Sequence, residues 1–231
     1  MFLGEKTMIV AIDGYSGTGK STISKLLAKE VGFAYIRTGS FYRALTVKAL
    51  ECKIDVYDEN KITQMLAKTT IKSNFMGDHV KIVVDGNDIS EFLNTPQVST
   101  TVPIISKYKA VREYVRALQH NSAKQYDNIV MEGRDIGSVV FPDAEVKVFV
   151  DCDINERARR RVAQFAQNGK IVDFEKTKQE MQERDIADTT REISPLVRLP
   201  EAYYLDTTNK SIKECVQLLK NLIDNITIKS F

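Results

Sequence analysis

The sequence predicts an α/β fold, a parallel sheet flanked by helices with a phosphate-binding loop at the carboxyl end of its first strand. Three observations carry that expectation. Short apolar runs alternate with stretches of helical spacing along most of the 231 residues, as parallel strands require, because each must reach the next by a crossover. The first run breaks into GYSGTGKS, Gly14 to Ser21, which fits G-x-x-x-x-G-K-[ST] at every position. The stretch from about Ile71 to Ile89 departs from the alternation: IKSNF and VKIVV flank MGD, so it reads as a small antiparallel hairpin inserted into the chain.

Taken in order, Met8–Ile12 reads as a buried strand, followed by the glycine loop and a helix from about Lys20 to Val31. Ile23, Leu26 and Leu27 share a face of that helix, and Gly32 suits its C-cap. Phe33–Ile36 is a short second strand and Phe41–Glu51 a second helix. The hairpin turns at Gly77 and again at DGND, and a long helix covers roughly Ala110 to Lys124. NIVM, leading to Glu132, and VKVFVD, ending at Asp151, are two further apolar strands. The remainder reads as helical, over Asn155–Gln167, Phe174–Thr189 and Ser211–Ile223, broken by Gly169 and Pro195. In such sheets ligands bind beyond the carboxyl ends of strands, where the motifs below fall.

Composition narrows the function. With 43% hydrophobic residues the chain can bury one core with embellishments. Lys+Arg 33 against Asp+Glu 31 leaves a net charge of only +2, which argues against nucleic acid as a partner. Cys52, Cys152 and Cys215 are widely spaced and odd in number, matching neither a zinc pattern nor a disulfide framework, and point to the reducing cytoplasm. The apolar start runs at once into Asp13 and glycines, unlike a signal peptide or a membrane span. Met8 offers a second possible start, with residues 1–7 an extension.

Gly14, Gly17 and Gly19 permit the backbone angles that aim successive N–H groups at a polyanion. Lys20 is placed to reach the β and γ phosphates of a nucleotide, and the Ser21 hydroxyl to ligate Mg²⁺. A guanine-reading N-K-x-D string is absent; the nearest is TNKS at 208–211. Instead Arg43, Arg112, Arg134, Arg157, Arg160, Arg161, Arg184 and Arg191 fall outside the loop, an inventory suited to binding several phosphates on two substrates. His79 and His120 lie in no motif, which leaves phosphoryl transfer, a reaction of positioning and charge neutralisation, as the fitting chemistry. Arg184, Asp188 and Arg191, spaced i, i+4, i+7, are expected on one helical face. A solvated, salt-bridged surface has the same spacing, and ERARRR reads equally as an exposed basic face.

GYSGTGKST, RTGSFYRAL, EGRDIGSVVFPDAEVKVFVD, ERARRR and ERDIADTTREISPLV together resemble the bacterial cytidylate kinases, a family of nucleoside monophosphate kinases, over about residues 9 to 219. The resemblance implies a three-layer phosphate-loop fold with a five-stranded parallel core (residues 8–65, 106–152 and 190–228), a monophosphate-binding insert at about 66–105 and a helical lid at about 155–173. It implies ATP- and Mg²⁺-dependent phosphorylation of CMP and dCMP by a cytoplasmic monomer with no membrane partner. ATP is then expected on Gly14, Tyr15, Ser16, Gly17, Thr18, Gly19, Lys20, Ser21, Thr22 and Arg160. CMP is expected on Thr38, Arg43, Arg112, Arg134, Asp135, Arg184, Asp188 and Arg191, with Arg112 and Asp135 at the cytosine and Arg184 and Asp188 at the ribose. Lys20, Arg134, Arg157, Arg161 and Arg191 are the expected catalytic cations. Mg²⁺ is expected at Ser21, with Glu132 or Asp13 acting through water; Asp13 alternatively caps the loop.

Three positions depart from the family pattern. Residue 37 is Arg in place of Asp, residue 40 is Ser in place of Ala, and Pro103 stands where a cytosine-reading serine is expected, leaving Thr100 or Thr101 to substitute. A UMP, AMP or shikimate kinase, a nucleotide-responsive RNA-binding protein and a degenerate kinase are the alternatives.

Overall fold

The computed structural model describes residues 8–76, 79–167 and 169–229. The expected turn at Gly77 and residues 1–7 lie outside these. The described chain forms two compact units, one made of the residues up to Tyr35 and from Asn128 onward, the other of Ile36–Asp127. Residues 36–65 and 106–127, expected with the core, therefore group with the segment that holds the hairpin.

The five-stranded sheet has the order β2–β6–β1–β7–β8, with β1 Met8–Gly14, β6 Asn128–Gly133, β7 Val146–Asp151 and β8 Tyr203–Asp206 in the first unit and β2 Ala34–Arg37 at the division of the chain. β1 pairs in parallel with β6 and β7, and β7 with β8. Val10, Ala11 and Ile12 are buried in succession, as a central strand covered on both faces demands. The chain passes from β1 to one side and later crosses to the other, so the carboxyl end of β1 is the switch point where such sheets bind ligands.

Helices α1 (Lys20–Val31) and α8 (Ile212–Lys229) cover one face. Ile23 and Leu27 of α1 and Val216, Leu219 and Ile223 of α8 close a core with Val10, Ile12, Val148 and Val150 of the strands. Gly32 ends α1 at φ 72, the left-handed cap that its sequence predicts. The fifth strand lies between two of the expected helices, where the sequence reading names no element. Tyr203–Asp206 is short, and only Leu205 in it is buried, so no apolar run marks it; pairing with β7 decides its state.

In the second unit, β3 (Ile71–Met76), β4 (His79–Val84) and β5 (Asn87–Asp88) form the expected antiparallel sheet. Asp85 and Gly86 take φ 49 and φ 89 between paired Val84 and Asn87, the two-residue turn with positive φ at both positions that Asp-Gly favours. The Asp85 carboxylate fixes this turn by accepting from the Thr70 N–H at 2.7 Å and pairing with Lys48 at 3.1 Å. Beside α2 (Gly39–Glu51) and α5 (Lys109–Ala123) stand two helices that the sequence does not announce, α3 (Glu59–Leu66) and α4 (Pro96–Ile105). α3 carries its signal in Asp58, whose side chain caps Lys61 N. α4 starts at Thr95 and Pro96 but holds Pro103 inside it, a residue that argues against a helix when read locally. Among the described residues no helix is long and apolar enough to cross a membrane.

Candidate active site

The phosphate loop leaves β1 under tight steric control. Gly14 sits at φ 150, where a β-carbon would stand 2.0 Å from the Val150 carbonyl oxygen, and Gly17 and Gly19 adopt φ 82 and φ 84. Three carbonyls of the loop face side-chain donors: Tyr15 O accepts from Lys20 Nζ and Thr18 Oγ1 at 3.2 Å each, Ser16 O from Arg157 Nη1 at 3.2 Å, and Thr18 O from Thr207 Oγ1 at 2.9 Å. Because a trans peptide points its N–H opposite to its C=O, these contacts turn the N–H groups of Ser16, Gly17 and Gly19 away from those donors. Ser21 and Thr22 follow in the first turn of α1, whose amino end adds a positive dipole.

Glu132, at the end of β6, is buried at 5% exposure. Its Oε1 accepts from Ser21 Oγ at 2.7 Å and from the Tyr35 hydroxyl at 3.2 Å, while Oε2 lies 3.7 Å from Lys20 Nζ. A hydroxyl beside a carboxylate is a hard-oxygen pair of the kind Mg²⁺ takes, usually one or two protein ligands with the remainder from substrate phosphates and water. Among the described residues no group of three or more His, Cys, Asp or Glu side chains is arranged to hold a metal by itself. Asp13 faces elsewhere: its Oδ1 accepts from Ile136 N at 2.9 Å and its Oδ2 from Gly137 N at 2.8 Å.

Burial first, and then the nearby Arg134, outweigh the pull of Glu132 and Asp13 and lower the Lys20 ammonium to a pKa of about 8. The free protein thus loses this cation as pH rises through about 8. Since kcat/KM reports ionisations of the free enzyme, kcat/KM for ATP is expected to fall along a limb near pH 8. That limb should disappear in Lys20→Arg, whose guanidinium stays charged. A wild-type profile that stays flat to pH 10 would contradict the assignment.

Arg134, the next residue but one after Glu132, binds Asp188 of α7 (Phe174–Thr190) through Nε at 2.9 Å and donates to Gly133 O at 3.2 Å. Asp188 Oδ1 also meets Arg191 Nη1 at 3.4 Å, and Arg191 Nε donates to Ser194 O at 2.6 Å. Burial would raise the Asp188 carboxyl, but Arg134, Arg184 and Arg191 outweigh it and hold the group below the ordinary range. Burial and Arg134 lower Arg184. The structure thus brings Arg134, Arg184, Asp188 and Arg191 together, though not as one helical face: α7 ends at Thr190, and Arg191 is extended at φ −62, ψ 143. The i, i+7 expectation fails because Pro195 disfavours helix just beyond, while the Arg191–Ser194 contact brings the side chain back.

In the second unit, Arg43 donates to Leu93 O at 2.8 Å and to Ser99 Oγ at 3.0 Å. Thr38, buried at 3% exposure, sits at the start of α2, and the guanidinium of Arg112 lies 5.7 Å from the Tyr42 ring centre. Pro103 is inside α4, and the Thr100 hydroxyl donates back to Pro96 O and Gln97 O of its own helix. Ser99, one turn before Pro103, supplies the hydroxyl that Arg43 meets in this unit, and no motif singles it out.

The sequence profile of the cytidylate kinase family matches residues 10–225. The chain belongs to the cytidylate kinase family. A cytidylate kinase of Carboxydothermus hydrogenoformans is 44% identical over 94% of this chain and 97% of its own length. One from Bacillus cereus is 39% identical over 97% and 100%, and one from Enterococcus faecalis 40% identical over 93% and 94%. Among solved structures, a shikimate kinase of Bacteroides thetaiotaomicron covers 94% of this chain and 99% of its own with a TM-score of 0.50 at 13% identity, a likeness of fold alone.

The arginines expected in the lid of a cytidylate kinase stand on α6 (Ile154–Gln167) and differ in their surroundings. Arg157 is buried at 5% exposure. It donates from Nε to Cys152 O at 3.0 Å, from Nη1 to Ser16 O at 3.2 Å, and from Nη2 to Asp185 Oδ2 of α7 at 2.7 Å, with its guanidinium 5.1 Å from the Tyr15 ring centre. It therefore fastens the phosphate loop to α7. Arg160 reaches Glu156, Thr207 and Thr208, and Thr207 in turn holds Thr18 O. Arg161 lies over the Phe165 ring at 4.8 Å and donates to Gln164, and Arg159 is exposed beside Glu156. Asp185 and Thr207 escape the sequence reading because their roles depend on contacts across the fold.

The Arg157–Asp185 pair gives a test. Arg157→Ala and Asp185→Ala are each expected to raise the KM for ATP, and the double variant to do little more damage than either alone, a coupling of about 2 kcal/mol. Additive losses in that cycle would show that the two residues act separately.

Proposed function

We propose that the protein transfers the γ-phosphoryl group of ATP directly to CMP or dCMP, in the presence of Mg²⁺. One observation carries the reading beyond family membership. Lys20 Nζ lies 3.7 Å from Glu132, two residues before Arg134, and after burial Arg134 is the largest influence lowering the Lys20 pKa, so the cation of the phosphate loop and the leading cation of the arginine–aspartate cluster share one electrostatic field. A donor and an acceptor phosphate both carry negative charge, and bringing them together is the main obstacle to reaction. At about 4 Å and an effective dielectric near 20, each unit-charge pair counts for roughly 4 kcal/mol, so Lys20, Arg134 and Arg191 acting together offset a large repulsion.

In this reading Gly14 to Thr22 hold the ATP phosphates, with Arg160 at the rim of the site. The CMP phosphate is assigned to Arg134 and Arg191 and to Arg43 and Thr38, and the ribose hydroxyls to Arg184 with Asp188. Lys20, Arg134, Arg161 and Arg191 stabilise the charge that spreads over the transferring group; Arg157 belongs to the catalytic set through its hold on Ser16. Ser21 and Glu132 are the residues that would hold Mg²⁺, which would supply further neutralisation of the ATP oxygens. No strong base is required, because the accepting phosphate oxygen is already anionic at neutral pH.

Cytosine presents N4–H₂ as a donor and N3 and O2 as acceptors. Asp135 accepting from N4 and Arg112 donating to N3 and O2 match it, whereas uracil would direct O4 at the carboxylate. Unmatched polar groups in a dry site discriminate strongly. An ADP-release assay with CMP, dCMP, UMP and AMP side by side tests this. CMP and dCMP should stimulate, and UMP and AMP should not; stimulation by UMP equal to that by CMP would overturn the assignment of Asp135 and Arg112.

A further inference from the structure

The carboxylate of Asp13 is the last side chain of β1 before the phosphate loop and is nearly fully buried, at 6% exposure. It stands level with Gly133 of β6 and Phe149 of β7 in the sheet register. Each of its oxygens takes one of two successive backbone amides, Ile136 N at 2.9 Å and Gly137 N at 2.8 Å. Those amides begin a single π-turn, Ile136–Val140, in which Asp135 O receives both Val139 N and Val140 N at 3.0 Å. Gly137 leaves little room to shift, since a β-carbon there would lie 3.3 Å from Lys147 Cγ and 3.5 Å from Ala11 Cβ.

The two residues just before these amides are Arg134 and Asp135. We propose that Asp13 is a positioning residue for the acceptor nucleotide: by gripping the Ile136 and Gly137 amides, it sets the backbone that aims Arg134 and Asp135. This rests on the CMP reading given above and adds to it a residue on the donor strand that governs acceptor affinity. The carboxylate form suits this grip best, because both of its oxygens accept and neither carries a competing proton. Burial, with a smaller push from Asp135, outweighs the two amides and Lys20 and raises its pKa to about 6. Asp13 is therefore mostly ionised at neutral pH.

Asp13→Asn tests the idea by placing an N–H₂ donor against one of the two amide donors at nearly constant volume. Loss of a charge-assisted hydrogen bond is worth roughly ten- to a hundredfold, so the KM for CMP should rise at least about tenfold. Measured at pH 7, below the Lys20 titration that Asp13 helps to hold up, the KM for ATP and the Mg²⁺ concentration for half-maximal rate should stay within about twofold. Replacing the Ile136 amide by a backbone ester, which removes the donor and leaves Asp13 intact, should raise the KM for CMP in the same direction and keeps the test open if the Asn variant does not fold. A higher Mg²⁺ requirement with unchanged CMP affinity would instead make Asp13 a holder of metal-bound water. An equal rise in both KM values, or no change in that for CMP, would also overturn the proposal. Hydrogen exchange separates this from the function itself: Ile136 and Gly137 N–H should exchange faster in Asp13→Asn even if CMP proves not to be the acceptor, and unchanged exchange would show that Asp13 does not hold them.

Discussion

Lys20→Met lowers kcat by about a thousandfold, or about 4 kcal/mol of transition-state stabilisation, while the protein stays folded. The catalytic loss follows from the position of Lys20 at the first turn of α1, with its ammonium held at Tyr15 O and beside Glu132. The tolerance of the fold follows from the same burial. The charge is already unfavourable there, as its pKa of about 8 shows, and methionine fills a similar volume without it. Glu132 keeps its bonds from Ser21 and Tyr35. Steady-state kinetics with a thermal melt on the same sample checks both halves. Turnover within about tenfold of wild type would remove Lys20 from the site.

The second large effect is expected at Arg134. Arg134→Ala removes the guanidinium that binds Asp188 and leaves that carboxylate to Arg184 and Arg191. We expect kcat/KM for CMP to fall by about a hundred- to a thousandfold. Arg134→Lys should recover little of it, because one ammonium cannot engage Asp188 and a phosphate together through a planar fork. The KM for ATP should move less than that for CMP. A lysine variant close to wild type would reduce the role of Arg134 to that of a point charge.

The sequence discloses most where chemistry and geometry are written in neighbouring residues. Gly14 to Ser21 specify a loop by themselves, and the strand before it and helix after it appear at nearly the expected bounds. The Asp85–Gly86 turn is equally local. Features that depend on distant partners are hidden. Tyr203–Asp206 becomes a strand because β7 is there to pair with it, and Pro103 sits within α4. In the site, Arg134 and Asp188 are 54 positions apart and meet only through the fold. Arg157 stands in a basic run that reads equally as part of a lid or as an exposed face, and its guanidinium is buried among Ser16, Cys152 and Asp185. Asp13 looks in sequence like an adjunct of the phosphate loop, whereas its oxygens are turned to Ile136 and Gly137.

The most direct measurement is the rate of ADP formation from ATP and Mg²⁺ by the wild-type protein, with and without CMP. The account predicts slow turnover without acceptor, strong stimulation by CMP with one CDP formed per ADP, and loss of both in Lys20→Met. ADP formation that is indifferent to CMP, or that proceeds without CDP, would contradict it.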